Sequence, residues 1–519
     1  MSLNLSPKNN FLAEMSVRRR IIISLLSNFI RGGLSFLTGV IIARGLGPHE
    51  YGNYVFLIGS FIALQQLLDM GTARAFFTLM SQRKRGRGFI KLYVLWQLTQ
   101  FLLPIFVIAI FLPDSWVSSI WIDQNRMLVL ASFSAVFLQQ SAWQTVILIG
   151  EANRMTQKVQ VLWLTLAAIH FALVLALWSL GLLSLSLLFA LIIIEYLAGL
   201  LLAEKILSVR TWEEVPFVYK SVFREYIVYC APLVIYSLAG FFKEFADRWL
   251  LQNFGGPLEQ GFYGAGQHFA LVCSLFTIAI HKILWKEIAE AREKQDLERV
   301  RLLYKRATNF LLTASAGLSG FFVPWSEEII EVLLGVSFLG GASALAIMLT
   351  MPIHQSMAQI TGALYMASHK TKERTIIGII FMVIHIPVTY FVQASGDAWI
   401  PGFGLGSFGM ALQMVILQII SVNIMVWWIS RDYGWKYDWS SQVIIISMMF
   451  SSGWVCHEIV TALGEVLPIN MFFQFGIALL VYFSMVGWFV WRNPQLAGIT
   501  HEDVRDFSEQ LKRALNIKT

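Results

Sequence analysis

Charged residues and cysteines are scarce in this chain. Only 14% of its 519 residues are Asp, Glu, Lys or Arg, whereas soluble globular proteins are about 25% charged. A soluble chain this poor in charge would expose too much apolar surface to stay dispersed, which excludes the ordinary soluble classes. The three cysteines, Cys230, Cys273 and Cys456, stand far apart within apolar sequence, so we expect neither a disulfide framework nor a metal site.

Two functional signatures are also missing. The chain has no Gly-Lys pair, which a phosphate-binding loop of the GxxxxGK[ST] type requires, and this excludes an ATP-driven transporter within the chain. It has no Asp-x-Asp, an acidic pattern with which glycosyltransferases hold a nucleotide sugar. We therefore expect no enzyme activity and no cofactor.

Hydrophobic sequence dominates instead, at 57% of the residues. A helix needs about 20 mostly apolar residues to cross a bilayer, and this rule predicts an all-α polytopic membrane protein of about fourteen transmembrane helices. The predicted spans are 21–43, 51–69, 89–112, 127–149, 159–180, 182–203, 226–252, 263–284, 307–325, 340–365, 375–394, 407–430, 441–463 and 469–491.

The positive charges predict the orientation. Of the 39 Lys and Arg residues, only Arg44 and Arg126 fall in loops on one side of the predicted membrane, and all other loop cations fall on the opposite side. Cytoplasmic loops are enriched in Lys and Arg, so we expect both termini in the cytoplasm. The net charge of +7 therefore indicates orientation rather than a nucleic-acid partner. In one inner loop, 282–306, the spacing of apolar residues predicts an amphipathic interfacial helix. Its apolar side comprises Ile288, Leu297, Val300 and Leu303.

A short motif occurs twice. Residues 47–54 are Gly-Pro-His-Glu-Tyr-Gly-Asn-Tyr, and residues 256–263 are Gly-Pro-Leu-Glu-Gln-Gly-Phe-Tyr. Both copies fall in an outer turn, one between the first and second spans and one between the seventh and eighth. Glycine and proline favour turns, and a tyrosine can anchor at the membrane interface. The residues assigned to the two turns are Gly47, Pro48, Gly52, Gly256, Pro257 and Gly261.

An interval of six spans keeps both motif copies in the same orientation. The motif thus predicts a parallel repeat about an axis along the membrane normal, an architecture known in transporters. We expect an N-terminal six-helix lobe at 1–203, a cytoplasmic linker at 204–225, a pseudo-symmetric C-terminal six-helix lobe at 226–430, a terminal helix pair at 431–491 and a cytoplasmic tail at 492–519.

Several segments resemble one transporter family. Residues 43–52, Ala-Arg-Gly-Leu-Gly-Pro-His-Glu-Tyr-Gly, are similar to a turn of the bacterial polysaccharide exporters. These form the O-antigen-flippase-like branch of the multidrug/oligosaccharidyl-lipid/polysaccharide (MOP) exporter superfamily. Leu68–Gly71, Ala246–Arg248, Gly261–Ala265 and Glu331–Phe338 resemble further motifs of the family in the same order.

This resemblance implies a flippase of the bacterial inner membrane. Its implied substrate is an undecaprenyl-diphosphate-linked oligosaccharide, moved by alternating access during cell-surface polysaccharide biosynthesis. The implied partners are this lipid-linked substrate, membrane lipids and other polysaccharide-assembly proteins.

Cations within the predicted spans are candidate substrate-binding residues. An ionisable group at the bilayer centre costs about 3 kcal/mol or more, so it normally faces a cavity or a partner. Arg31, Lys243 and Arg248 are candidates for holding a diphosphate, because a guanidinium binds phosphate with two N–H donors at once. The alternative is that the span 7 cations form salt bridges along their own helix, Lys243 with Asp247 and Glu244 with Arg248.

Acidic residues in the sixth and seventh spans are candidates for ion coupling, namely Asp247, Glu244 and Glu195. For Glu195 the alternative is a carboxylic acid kept neutral by burial or paired with an unidentified partner. The histidines in spans, including His170, show no ligand spacing, and polar packing is the favoured interpretation.

Clusters of amides and aromatics could contact sugars. The main candidates are Gln140, Trp143 and Gln144, and a similar cluster follows Trp96. The alternative is hydrogen bonding and packing between helices.

Two other functions stay open from the sequence. One is a multidrug exporter of the same superfamily, although basic residues in its cavity would repel small cations. The other is a membrane glycosyltransferase or polymerase of the same pathway, which the short outer loops disfavour.

Overall fold

A computed structural model describes residues 7–83, 85–207, 218–466 and 470–500, with side chains from residue 26 onward except at 272 and 274–286. Parts of the predicted linker, 208–217, and of the predicted tail, 501–519, lie outside the described residues. Within the described ranges the regular structure is helical throughout and contains no strand. The predicted all-α class is confirmed.

Seventeen α-helices occur in the described part of the chain. They are α1 Pro7–Asp69, α2 Thr72–Gln82, α3 Arg87–Phe106, α4 Asp114–Ile120, α5 Arg126–Val136, α6 Trp143–Ala152, α7 Thr156–Ser179, α8 Leu185–Leu207, α9 Tyr219–Glu293, α10 Leu297–Phe322, α11 Ser326–Leu333, α12 Ala342–Met348, α13 Met351–Ala367, α14 Thr371–Gln393, α15 Gly406–Asp432, α16 Trp439–Val466 and α17 Met471–Arg492. Two π-helical segments, Val107–Phe111 and Phe137–Ala142, continue α3 and join α5 to α6.

Ten helical segments among the described residues are long and apolar enough to cross a bilayer. Two of them, Leu26–Asp69 and Tyr219–Leu271, contain 44 and 53 residues, well beyond the ~20 that one crossing needs. The predicted span 127–149 and most of the predicted span 307–325 also lie on helical residues but are not among the ten. The multi-span architecture is confirmed, and the number fourteen stays a prediction.

The chain divides into two compact units. The first comprises Met1–Gly261 with Ile386–Gly404, and the second comprises Phe262–His385 with Leu405–Thr519. These units group helices by packing, and the predicted repeat groups them by sequence. The lobe boundaries derived from the repeat therefore stay a prediction.

The 282–306 segment differs from its prediction as one amphipathic helix. α9 ends at Glu293 and α10 begins at Leu297, with Gln295 in the left-handed region (φ 58°) between them. The Asp296 side chain accepts a hydrogen bond from the Arg299 N–H at 3.0 Å and so caps α10. Ile288 and Val300 pack in one buried cluster with Leu303 against it, so this part of the predicted apolar side is a helix–helix contact, whereas Leu297 is exposed.

Candidate functional site

The two motif copies adopt the same backbone conformation. Gly47 has φ 73° and ψ 168°, and Gly256 has φ 75° and ψ −179°. Side chains other than hydrogen strongly disfavour a positive φ of this kind, so glycine meets the requirement. In each copy the following proline, Pro48 or Pro257, resumes the helix, a position where a missing N–H does not matter. The predicted turns are thus sharp breaks within α1 and α9.

The second glycine of each motif lies against the other copy. A Cβ added to Gly52 would overlap the carbonyl oxygen of Pro257, and a Cβ added to Gly261 would overlap the carbonyl oxygen of Pro48. The two contacts are reciprocal, as in a two-fold relation between identical surfaces. The turns therefore pack backbone to backbone within the first unit, and glycine makes this close approach possible.

The tyrosine that ends the motif does not face an interface in the second copy. Tyr263 is 2% exposed, and its hydroxyl donates to the sulfur of Met414 at 2.9 Å. The prediction of an interfacial anchor is wrong for this residue, because a buried hydroxyl needs a partner within the protein.

The charged residues of α9 form salt bridges on their own helix. The Lys243 ammonium lies 2.9 Å from Glu244 Oε1 and 3.0 Å from Asp247 Oδ2. The other Asp247 oxygen accepts from the Thr389 hydroxyl at 2.8 Å. Only 6% of the Asp247 side chain is exposed, so this carboxylate is neutralised by a cation and a hydrogen-bond donor. The internal pairing considered for Lys243 and Asp247 is present.

Arg248 packs against the helix that follows the first turn. Its side chain lies so close to Gly59 that a Cβ there would stand 2.7 Å from Nε. One turn along α9, Gln252 donates to Asn53 Oδ1 at 3.1 Å. Polar groups of α9 thus meet the second segment of α1. The roles of Lys243 and Arg248 in substrate binding stay predictions.

Arg31 lies elsewhere in the first unit, between α1 and α7. Its guanidinium carbon stands 3.5 Å from the ring centroid of Trp163, and Nη2 donates to Asn28 Oδ1 at 3.0 Å. Among the described residues no carboxylate forms an ion pair with it. The cation–π contact and the amide hold the guanidinium in place with neutral partners. The contacts described for Arg31 include none with the charged residues of α9.

Glu195 has a partner that the sequence did not identify. Its Oε2 lies 2.7 Å from His170 Nδ1, and the two side chains are 5% and 18% exposed. The pair joins α8 to α7. His170 and Trp163 are seven residues apart on α7, and two helical turns bring them to the same face. One face of α7 therefore carries contacts to both Arg31 and Glu195.

The predicted sugar-contacting cluster separates onto two faces. Trp143 is 1% exposed and belongs to a hydrophobic core of the first unit, where its ring meets Tyr196 edge to face at 5.7 Å. Gln140 and Gln144 are exposed. The position of Trp143 favours the packing alternative for this residue, whereas the two glutamines stay candidates.

In the cluster after Trp96, Gln100 bonds to another helix, whereas Gln97 bonds within its own helix α3. Gln97 and Gln100 are buried, donating to the Tyr93 hydroxyl at 3.0 Å and to the Leu68 carbonyl at 2.6 Å. An amide hydrogen-bonded to a neighbouring helix holds the two together in a bilayer. Sequence reasoning missed Trp163 and Thr389, and it did not identify the partner of His170, because each of these contacts joins residues distant in sequence.

Comparison with known proteins identifies relatives at the level of family and fold. The profile of the family described as polysaccharide biosynthesis protein matches residues 17–285, which is 269 of the 519 residues. No curated protein sequence matches the chain.

Solved structures share the fold. The lipid II flippase MurJ, in an inward closed conformation, has a TM-score of 0.68 at 14% identity, covering 90% of this chain and 99% of MurJ. An inward-facing multidrug resistance MATE family transporter of the MOP superfamily has a TM-score of 0.59 at 13% identity, covering 80% of this chain and 98% of the transporter. A MOP superfamily transporter from Pyrococcus furiosus has a TM-score of 0.52 at 14% identity, covering 81% and 95%.

The fold is the one seen in these transporters, and the family is described as a polysaccharide biosynthesis protein. The motifs around the two turns and the helical architecture lead to the same assignment. The chain belongs to the polysaccharide biosynthesis protein family, and it is a multi-span membrane protein whose fold is shared with transporters of the MOP superfamily.

Proposed function

We propose that this protein is a flippase for a lipid-linked oligosaccharide. It moves an undecaprenyl-diphosphate-linked repeat unit from the cytoplasmic to the outer leaflet of the bacterial inner membrane, by alternating access and with both termini in the cytoplasm. Family membership and the flippase-like fold support transport of a glycolipid. The geometry of Arg31 is the observation that carries the choice of an anionic substrate.

Arg31 combines a membrane location with unused hydrogen-bonding capacity. A guanidinium has five N–H donors, and the contact with Asn28 takes one of them. Stacking on Trp163 fixes the plane of the fork without neutralising it. An arginine prepared in this way suits a phosphate oxygen pair, which accepts two parallel N–H bonds.

Lys243 is less suited to this role in the conformation described. Its ammonium already lies within 3.0 Å of two carboxylates, so a phosphate would have to displace Asp247 or Glu244. The four charges at positions 243, 244, 247 and 248 sum to zero. We therefore assign recognition of the diphosphate to Arg31. The charged residues of α9 neutralise one another and so lower the cost of keeping this helix in the membrane.

The second candidate, a multidrug exporter, draws on the likeness to the MATE-family transporter. A cationic drug would meet the Arg31 guanidinium, whose described partners are neutral. Unscreened repulsion of this kind disfavours binding of a cation. The two candidates thus predict opposite responses to removal of the Arg31 charge.

Transport by the purified protein in liposomes distinguishes them. The assay follows a fluorescent undecaprenyl-diphosphate oligosaccharide, and ethidium in parallel, with wild type, Arg31→Ala and Arg31→Lys. Two charge-assisted hydrogen bonds are together worth about 3–6 kcal/mol, so Arg31→Ala should lower glycolipid transport by roughly 10²–10⁴ at limiting substrate. Arg31→Lys keeps the charge but loses the fork and should retain part of the rate.

Arg44→Ala, on the same helix but exposed, is the matched control and should transport normally. Amounts of folded protein are equalised by size-exclusion chromatography. Full glycolipid transport by Arg31→Ala would refute the proposed site. Ethidium transport by wild type with no glycolipid transport would refute the proposed function in favour of the exporter.

A further inference from the structure

A groove on the first unit has no role in the mechanism above. It lies between α3, α6 and α8 and has a volume of about 730 Å³, which is within the range of ~300–1,000 Å³ typical of small-molecule sites. At one end of the groove α3 begins, at Arg87, and α6 and α8 end, at Ala152 and Leu207. The groove therefore begins at one face of the predicted membrane.

The long walls of the groove are apolar. Val94, Leu95 and Leu98 line it on α3, and Ile149 and Leu200 face them from α6 and α8. From Arg87 to Leu98 the helix rises about 16 Å, close to the ~15 Å of hydrocarbon in one leaflet. The groove thus has the length and the chemistry of an acyl chain of a single leaflet.

The end of the groove is cationic. Arg87 and Lys91 line it there, and Glu204 is the one carboxylate among its lining residues. Neither cation forms an ion pair with another described residue. Arg87 is also the first residue of α3, where the helix dipole adds a partial positive charge. Among the described lining residues, the head of the groove thus holds two cations and one carboxylate.

From these features we propose that the groove binds an anionic phospholipid of the cytoplasmic leaflet. Arg87 and Lys91 suit an anionic phosphodiester, and basic pockets between helices on the cytoplasmic side recognise such headgroups. The described lining contains no amide and no aromatic side chain that could contact a sugar. The glycolipid substrate therefore fits the groove less well than phosphatidylglycerol does. The site does not depend on the transport activity proposed above, but its assignment to the cytoplasmic leaflet rests on the orientation proposed there.

Photocrosslinking of the full-length protein tests the site. The probe is phosphatidylglycerol with a diazirine in its acyl chain, in nanodiscs of otherwise zwitterionic phosphatidylcholine, and mass spectrometry locates the labelled peptide. We expect labelling around residues 94–98. A phosphatidylcholine probe of the same chain should label this peptide at least tenfold less. Equal labelling by the two probes would overturn the proposal.

Variants separate the head of the groove from its walls. Arg87→Gln with Lys91→Gln should reduce labelling by phosphatidylglycerol about tenfold and leave labelling by phosphatidylcholine unchanged. Leu98→Trp, which fills the groove, should reduce both. The matched control is Lys372→Gln with Lys436→Gln, which removes two exposed cations elsewhere and should change neither.

Competition on the wild-type protein keeps the test independent of folding in the variants. Unlabelled phosphatidylglycerol should displace the probe, and phosphatidylcholine should not. Displacement by the undecaprenyl-diphosphate oligosaccharide at lower concentration than by phosphatidylglycerol would assign the groove to the substrate and overturn the proposal.

Discussion

Replacement of Gly52 by alanine should disrupt the contact between the two motif copies. The added methyl group overlaps the carbonyl oxygen of Pro257, and a backbone carbonyl cannot rotate away as a side chain can. Overpacking by one methylene usually costs about 1–3 kcal/mol, and a rigid neighbour places this case at the upper end. We expect Gly52→Ala to lower the free energy of unfolding by about 3 kcal/mol.

The reciprocal geometry gives a sharper expectation. Gly261→Ala overlaps the carbonyl of Pro48 and should cost about the same as Gly52→Ala. Once the helices have moved apart for one methyl group, the second fits with little further change. The double variant should therefore be destabilised much less than the sum of the two single variants, because neighbouring sites that share one contact are not additive.

The measurement is the thermal unfolding of detergent-purified protein, with the midpoint in denaturant as a second probe. Gly33→Ala and Gly487→Ala are the controls, because no atom beyond their own stretch of helix backbone lies within 4 Å of a Cβ at either position. Alanine in a helix is favoured over glycine by up to about 1 kcal/mol, so the controls should be neutral or stabilised. Single variants as stable as the controls, or a double variant equal to the full sum, would refute the reciprocal contact.

Four further outcomes are expected. A single cysteine at position 294, in a chain without the three native cysteines, should react with an impermeant maleimide only after the membrane is opened, whereas labelling of intact cells would reverse the orientation. Trp143→Ala should destabilise the protein by about 3–5 kcal/mol, as measured by thermal unfolding, while Gln144→Ala should leave stability unchanged. Glu195→Gln keeps an oxygen near its histidine partner but loses the charge, so transport in liposomes should become insensitive to an imposed proton gradient; an unchanged response would remove Glu195 from ion coupling. Hydrogen bonds from two serine hydroxyls and a backbone N–H hold the pKa of Asp438 at about 2, so this carboxylate should stabilise the start of α16 at neutral pH and lose that contribution as the pH falls from about 4 to about 2, and hydrogen exchange at α16 should show no such acid dependence in Asp438→Asn.

Local signals in the sequence predicted the fold well. The motif Leu68–Gly71 shows why. The carboxylate of Asp69 accepts from the N–H groups of Gly71 and Ala73 at 3.1 and 2.8 Å, which ends α1 and caps α2 within five residues. Interactions between residues so close in the sequence can be predicted from the local residue types. The apolar spans and the glycine breaks are local in the same sense.

The candidate site was less predictable because its partners are remote. Glu195 and His170 are separated by 25 positions, and Asp247 and Thr389 by 142, and no spacing rule connects such pairs. The glutamines near Trp143 failed as a cluster for another reason. Trp143 and Gln144 are consecutive residues of α6, so their side chains point about 100° apart around the helix, and closeness in sequence does not place them on one face.

The two glycines of each motif are required for different reasons, the first for its backbone conformation and the second for its small size. Gly47 and Gly256 have free space around a Cβ, and only their positive φ excludes ordinary residues. A D-alanine at position 47, introduced by chemical ligation, would find φ 73° and ψ 168° as comfortable as an L-residue finds the mirror-image extended region. A D-residue therefore satisfies the requirement at the first glycine, which is one of chirality. At Gly52 no residue with a side chain fits, because the requirement there is space.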